Sequence, residues 1–437
     1  MERIEITGIG SELQGVGRLA DGRAAFVPGA LPGETVDIEI LRDKGRFCEA
    51  SLVEVINSSP GRVKPGCPFA GDCGGCQARH ATYEATLLLK RQKVVDALVR
   101  IGGAVDPQVR GALGCKDPNR TRNKAEYPIG MRDGRIVIGA YARGSRQIVP
   151  LGDCLLQSEK SVAYMRALAD VLSRWPMARH LRFLVTRTNR MGDLMVILCG
   201  DAPIFAEISK LSPALPDAQS LWYCHLNRHY THALDGRCTR IAGAATLTER
   251  LFDLSFEISP QSFFQVNVAQ TEALYACALE AAGIRPGCGI RLLDAYCGAG
   301  TITLTAARYV KSAVGIEIVA PAIENARLNV AANHIDNARF ICGDAAKEIP
   351  RLLACGEHFD AVILDPPRKG ADAALLDAVA RARIPTLSYV SCNPATLARD
   401  VKSLCSQGYR LEWAQPVDMF PWTEHVETVV LMSRKDT

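Results

Sequence analysis

IRLLDAYCGAGTITLTAARY, residues 290–309, is the stretch that decides the fold. A short apolar run leads into a Gly-rich turn, and apolar residues then recur at helical spacing, so the stretch predicts strand, turn and helix in that order. The same alternation continues to the C-terminus through AVGIEI (313–318), VAPAIENARLNVAANH (319–334), ARFICGD (338–344), AAKEIPRLLA (345–354), FDAVILDPP (359–367), AALLDAVARA (373–382), PTLSYVSC (385–392) and TLARDVKSLC (396–405). Strands that alternate with helices build a doubly wound α/β sheet, parallel over most of its width, and such sheets bind ligands at the C-terminal ends of their strands. Asp294, Glu317, Asp344, Asp365 and Cys392 all fall at those ends.

Glu317 lies 23 residues beyond Asp294, the spacing at which an acidic side chain meets a ribose diol. A nicotinamide dinucleotide uses the same device, but here the turn is GxG without a third glycine, and Asp294 is poorly placed for a pyrophosphate. S-Adenosylmethionine carries a ribose, an adenine and a sulfonium cation and no phosphate, so an acidic pocket suits it better. Gly298 and Gly300 then form the turn, Glu317 takes the ribose and Asp344 lies near the adenine edge.

In PTLSYVSCNPATLARDVKSL (385–404) a strand ends at Ser391, Asn393 is placed to cap a helix, and Pro394 occupies its first position. Cys392 stands between them, where the free N–H groups of a helix start favour a thiolate, which makes it the candidate nucleophile. Asp365-Pro366-Pro367 can clamp an exocyclic amine for N-methylation, but such a turn is usually followed by a stacking aromatic residue, and here Arg368 follows. The cysteine placed directly after a proline of this turn in cytosine C5 chemistry is absent as well.

Upstream the composition changes. Overall 48% hydrophobic and 22% charged residues describe a globular chain of two or three domains, and the net charge is +4. That charge is unevenly spread, at −4 over residues 1–57, +9 over 58–150, +1 over 151–258 and −2 over 259–437. Arg120, Arg122, Lys124, Arg132, Arg135, Arg143 and Arg146 supply much of the basic excess and suit a polyanion. The start, MERIEITGIG, has no apolar leader, and no long apolar run follows, which predicts a cytoplasmic protein that does not enter a membrane. Residues 1 to about 57 read as short strands with Gly and Pro punctuation, a small β-barrel. GCPFAGDCGGCQARH (66–80) gathers Cys67, Cys73 and Cys76 among glycines that permit tight turns. With Cys154 as the best fourth ligand, ahead of Cys115 and Cys48, and with no second zinc knuckle, an iron–sulfur cluster is favoured over zinc. Residues 81–103 predict one helix of about 18 residues, and 119–258 an antiparallel sheet interrupted by the helix KSVAYMRALADVLSRW (160–175).

Those three cysteines with Cys154, and the runs SPQSFFQVN (259–267), DAYCGAGT (294–301), LDPPRKG (364–370), VSCNP (390–394) and HVETVVLMSR (425–434), resemble the RNA uracil-5 methyltransferases, in the subgroup with an N-terminal TRAM domain and a [4Fe-4S] cluster. The resemblance implies a TRAM-like barrel at 1–59, a central RNA-binding domain with the cluster loop at 60–258, and a class I methyltransferase domain at 259–437. It implies methyl transfer from S-adenosylmethionine to uracil C5 in RNA, 23S ribosomal RNA ahead of transfer RNA, with no obligatory protein partner. Cys392 is then the nucleophile and Glu427 the base, while Gln265, Tyr296, Glu317 and Asp365 line the donor or uracil. Thr301 stands where related proteins often carry Asn against the donor. The chemistry follows from the residues: thiolate addition at C6 makes C5 nucleophilic, and a base must later remove the C5 proton. Asp365 and Gln265 can pair with the N3–H and carbonyl edge of uracil, and Phe263 or Phe264 can stack on an extruded ring.

Overall fold

The computed structural model describes residues 1–435. Five strands, β1 (Glu2–Ile9), β2 (Gly15–Arg18), β3 (Ala24–Val27), β4 (Thr35–Asp43) and β5 (Phe47–Asn57), close into a barrel in the order β1-β2-β3-β5-β4. Alternating Ile4, Ile6, Ala25, Val27, Val36, Ile38, Cys48 and Ala50 fill it. Cys48 is therefore a core residue of the barrel and no reserve ligand for the cysteine loop.

After the cysteine-rich loop comes α1 (Tyr83–Arg100), whose Thr82 side chain caps the Ala85 amide. Its Val94, Ala97 and Leu98 pack with α-helical residues of the C-terminal sheet, not with the sheet that follows them in sequence. That following sheet comprises β6 (Lys124–Arg132), β7 (Arg135–Tyr141), β8 (Ile148–Pro150), then, after α2 (Glu159–Leu172), β9 (Leu181–Thr188) and β10 (Leu194–Gly200), and after α3 (Phe205–Leu211), β11 (Ser220–Leu226) and β12 (Gly236–Gly243). The order is β12-β11-β10-β9-β6-β7-β8. The expected antiparallel pairing holds except between β10 and β11, which run parallel. Helix α3 makes the crossover that a parallel pair requires, and at seven residues it is too short to stand out by periodicity.

A hairpin of β13 (Leu247–Leu251) and β14 (Leu254–Ile258) and then α4 (Val268–Ala281) lead into the C-terminal unit. It runs β15 (Arg291–Ala295), α5 (Thr301–Ala307), β16 (Ser312–Glu317), α6 (Ala320–Ala332), β17 (Ala338–Cys342), α7 (Ala345–Ala354), β18 (Ala361–Leu364), α8 (Ala373–Arg381), β19 (Thr386–Ser391), α9 (Pro394–Ser406), β20 (Tyr409–Val417) and β21 (Glu427–Arg434). The sheet order is β17-β16-β15-β18-β19-β21-β20; the first five strands are parallel, and β21 lies antiparallel between β19 and β20. Chain order reverses between β15 and β18, and the cleft above that reversal is where this topology binds ligands. Two apolar layers sandwich the sheet, one under α1, α7, α8 and α9, the other under α4, α5, α6 and the hairpin. No helix among the described residues is long and apolar enough to cross a membrane.

Candidate active site

A cavity of about 1220 Å³ opens over the strand ends of the C-terminal sheet. Tyr296, Gly298 and Thr301 from the first turn, Glu317 and Asp344 from the next two strand ends, Asp365, Cys392 and Glu427 all line it, and Phe263 and Gln265 face them from the segment before α4. The first turn is tight. Tyr296, Gly298 and Gly300 have φ of +71°, +54° and +80°, and a Cβ at Gly300 would lie 2.6 Å from the Phe340 ring. Gly300 thus shapes the turn from below without lining the cavity. A tyrosine at positive φ is a strained position that persists only where its surroundings hold it.

Glu317 binds its own end of the cavity together, with one carboxylate oxygen accepting from the Gly298 amide at 3.2 Å and the other from Val319 at 3.0 Å. Asp344 caps α7 through the Ala346 amide, so only part of its carboxylate is free for a ligand. Asp294 differs from its four strand-end companions. It is fully buried beneath the turn, with Thr303 donating to it at 2.5 Å, and it does not reach the cavity. Burial raises its carboxyl to about 7. Tyr275, at the cavity wall, shares a 2.8 Å hydrogen bond with Thr301, which ties α4 to the turn.

The reacting end is built by β18, β19 and β21. Asn393 caps α9 through the Ala395 amide and, with Thr396, donates to the Arg368 carbonyl at 3.2 Å. Strand end, helix start and the Asp365-Pro366-Pro367-Arg368 turn are thereby fixed against one another. Cys392 shows the opposite of the acidification expected from a helix start. Burial, then the neighbouring Glu427, raise its thiol to about 11, with Asp365 adding to them, and Arg368 opposes the shift. Glu427 itself is raised to about 8 by burial and by Asp365, again against Arg368, and burial raises Asp365 to about 7. Two crowded carboxyls near neutrality beside a thiol form an acid–base set of the kind that shuttles protons. Arg368 is the cation facing all of this; from sequence it served only to exclude a stacking aromatic, although its place directly after the strand-end turn was the available signal.

Phe264 is buried against Phe256 in the core, whereas Phe263 is 79% exposed at the cavity rim, which leaves Phe263 as the ring available to a base. Two residues of the central sheet pin this segment, and neither was singled out in the sequence. Arg187 Nη2 donates to the carbonyls of Ser262 at 2.5 Å and Pro260 at 3.3 Å. Asn123 donates to the carbonyls of Gln265 at 3.0 Å and Val266 at 2.8 Å. Of the basic stretch, Arg120 is spent on Asp153 and the Cys154 carbonyl, and Arg122 is drawn inward beside Cys76 and Cys154. Arg132, Arg135, Arg143 and Arg146 remain exposed.

Cys67, Cys73, Cys76 and Cys154 lie in one neighbourhood, with Cys73 near Cys154 and Cys67, and Cys76 near Cys154. Cys115 is elsewhere, held by Asn267 and Gln270. No three His, Cys, Asp or Glu side chains among the described residues stand ready around a single metal ion, so the metal expectation is not carried by ligand geometry. The surroundings nonetheless suit an anionic tetrathiolate centre. Arg79 and Arg122 flank Cys76, and the Nε atom of each is buried with no hydrogen-bond partner.

The family model for tRNA (uracil-5-)-methyltransferases matches residues 116–435, and that for the TRAM domain matches residues 2–53. A protein of Clostridium tetani named an uncharacterized RNA methyltransferase is 39% identical over 442 residues, covering 98% of this chain and 95% of that protein. Another so named, from Caldanaerobacter subterraneus subsp. tengcongensis, is 38% identical and covers 99% and 97%. Among solved structures, the tRNA (uracil-54, C5)-methyltransferase of Pyrococcus abyssi in complex with S-adenosyl-L-homocysteine superposes with a TM-score of 0.77 at 28% identity, over 99% of this chain and 100% of that one.

Proposed function

The chain belongs to the tRNA (uracil-5-)-methyltransferase family, as an S-adenosylmethionine-dependent RNA methyltransferase with a TRAM domain, and from that premise we propose that it methylates C5 of one uridine through a covalent adduct between Cys392 and uracil C6. The observation that supports this most is the meeting of Cys392, Asp365 and Glu427 in one cavity with the Gly298 turn and Glu317. S-Adenosylmethionine supplies an electrophilic methyl; Glu317 takes its ribose, Asp344 lies by its adenine, and Tyr296, Gly298, Gly300 and Thr301 shape the turn around it.

Uracil enters from an unpaired or flipped nucleotide and packs against Phe263, with Gln265 and Asp365 reading its N3–H and carbonyl edge. Thiolate forms when Asp365 accepts the Cys392 proton, which leaves Glu427 ionised, and addition at C6 places the electron pair on C5. After methyl transfer Glu427 removes the C5 proton and Cys392 leaves, restoring the aromatic ring. Cys67, Cys73, Cys76 and Cys154 would hold a [4Fe-4S] cluster as a structural clamp, a reading supported by the partnerless guanidinium nitrogens around Cys76. Brown protein purified without air supports that reading, and a colourless protein with stoichiometric zinc contradicts it.

For the target we favour 23S ribosomal RNA, in cytoplasm, with residues 1–59 and 60–258 giving the RNA-contacting domains and 259–437 the methyltransferase. A transfer RNA uridine is the second reading, favoured by the likeness to the Pyrococcus abyssi enzyme. Nucleoside mass spectrometry of both RNAs from cells with and without the gene tests this. Loss of 5-methyluridine from 23S RNA is expected; loss from transfer RNA alone selects the second reading, and a different methylated base refutes the reaction.

A further inference from the structure

The cavity wall that carries Glu427 is made by residues 418–427, which also contribute Phe420 and His425. Two separate parts of the chain hold this wall. From α1, Lys90 binds Asp418 within the core and donates to the Phe420 carbonyl at 2.8 Å, and Lys93 donates to the Glu424 carbonyl at 2.7 Å. From the cysteine-rich loop, the amides of Gln77 and Ala78 both donate to the Trp422 carbonyl, at 2.9 and 3.0 Å.

The second attachment falls on the bend of the wall. Trp422 has φ of +66°, a conformation that a side-chain-bearing residue rarely adopts and that must be enforced from outside. Its ring is gripped accordingly, by the Arg79 guanidinium at 4.5 Å, by the Tyr83 ring at 5.3 Å, and by a 3.2 Å hydrogen bond from Nε1 to the Pro118 carbonyl. Gln77 ties the bend to the cysteines themselves. Its Oε1 accepts from the Glu424 amide at 3.3 Å, and its Nε2 donates to the carbonyl of Gly74, between Cys73 and Cys76, at 3.0 Å. Gly74 in turn donates to Tyr141 and has backbone of Tyr141 and Arg143 within 3.2 Å of where a Cβ would stand. The chain of contacts from the cysteine loop to the wall is therefore hydrogen-bonded at both ends.

We propose that Gln77 and Trp422 are positioning residues through which the cysteine-rich loop fixes Glu427 for removal of the C5 proton. The inference rests on the covalent reading above. It gives the loop a task in the reaction without any redox step: a loosened bend displaces the base while leaving Cys392, between β19 and α9, and the donor site, at the ends of β15 and β16, where they are. Adduct formation is then spared and adduct resolution slowed.

The test compares Gln77→Met, Gln77→Glu and Trp422→Gly, the last removing the ring while easing the positive φ, with Glu427→Gln in the full-length protein. Each is mixed with RNA and S-adenosylmethionine, and RNA-linked protein is quantified on denaturing gels beside kcat, KM for RNA and donor affinity by calorimetry. Glu427→Gln should accumulate methylated adduct. Gln77→Met and Trp422→Gly should show the same adduct at least about fivefold above wild type with kcat down about tenfold, and KM and donor affinity within about twofold. Gln77→Glu keeps the acceptor for the Glu424 amide but loses the donor to the Gly74 carbonyl, so its rate and adduct level should fall between those of Gln77→Met and wild type. Wild-type adduct levels in Gln77→Met, or adduct, rate and donor affinity all falling together, overturn the inference. If Glu427→Gln accumulates no adduct, the covalent reading fails first and this inference with it.

Discussion

The N-terminal barrel and the active-site cavity both bury carboxyl groups, and they treat them in opposite ways. In the barrel, burial alone would raise Glu34, but Arg62 and the Leu31 and Ser59 amides bind it from several sides and hold it below the ordinary carboxylate range. In the cavity, Asp365 and Glu427 have burial without such partners, and Arg368 offsets it only in part for Glu427. The carboxylate that holds the barrel is saturated with donors; the two proposed to move protons are left short of them.

The contrast can be broken most severely at the nucleophile. Cys392→Ala should cut turnover at least about a thousandfold, because among the described residues the other thiol lining the cavity, Cys297, sits in the first turn away from Asp365 and Glu427, while donor binding by calorimetry stays unchanged. On the barrel side, Arg62→Met strands a buried carboxylate, and chemical denaturation should report about 3–5 kcal/mol lost from that unit. Asp365→Asn should act in the reverse sense. A carboxyl at about 7 in the fold and ~3.9 when unfolded binds its proton more tightly in the folded state, so stability declines as pH rises from 4 to 7 and stays reduced above. The amide removes that penalty, and the melting temperature at pH 8 should rise by an amount equivalent to about 1–2 kcal/mol even as activity is lost. The mildest test is pH itself. As the proposed base for the C5 proton Glu427 acts in its ionised form, so the rate should climb about tenfold from pH 7 to 8.5, with no decline below pH 9. In Glu427→Gln that rise should vanish from the resolution step.

Sequence made the reacting end largely legible because its elements punctuate themselves. The apolar run to Ser391, the Asn393 cap and Pro394 at the first helical position stand as expected, and so does the 18-residue helix at Tyr83–Arg100. What escaped depends on contacts distant in sequence. Helix α1 pairs with α9, far along the chain, and Arg187 and Asn123 act on carbonyls of residues 260–266 through backbone geometry that leaves no pattern. Asp294 and Asp344 fall where ligand-binding carboxylates belong, yet Asp294 bonds beneath the turn and Asp344 is partly taken by a helix cap. The thiol of Cys392 was misjudged because a helix N-terminus is local, whereas burial and Glu427, 35 residues further on, dominate its ionisation.

Transfer of methyl to uracil C5 must expel one C5 hydrogen for each methyl gained, which makes hydrogen release from RNA labelled with tritium at uridine C5 the most direct test. One tritium should enter water per methyl incorporated, and Cys392→Ala should release none. Methyl incorporation without tritium release, or equal release by Cys392→Ala, would contradict the account.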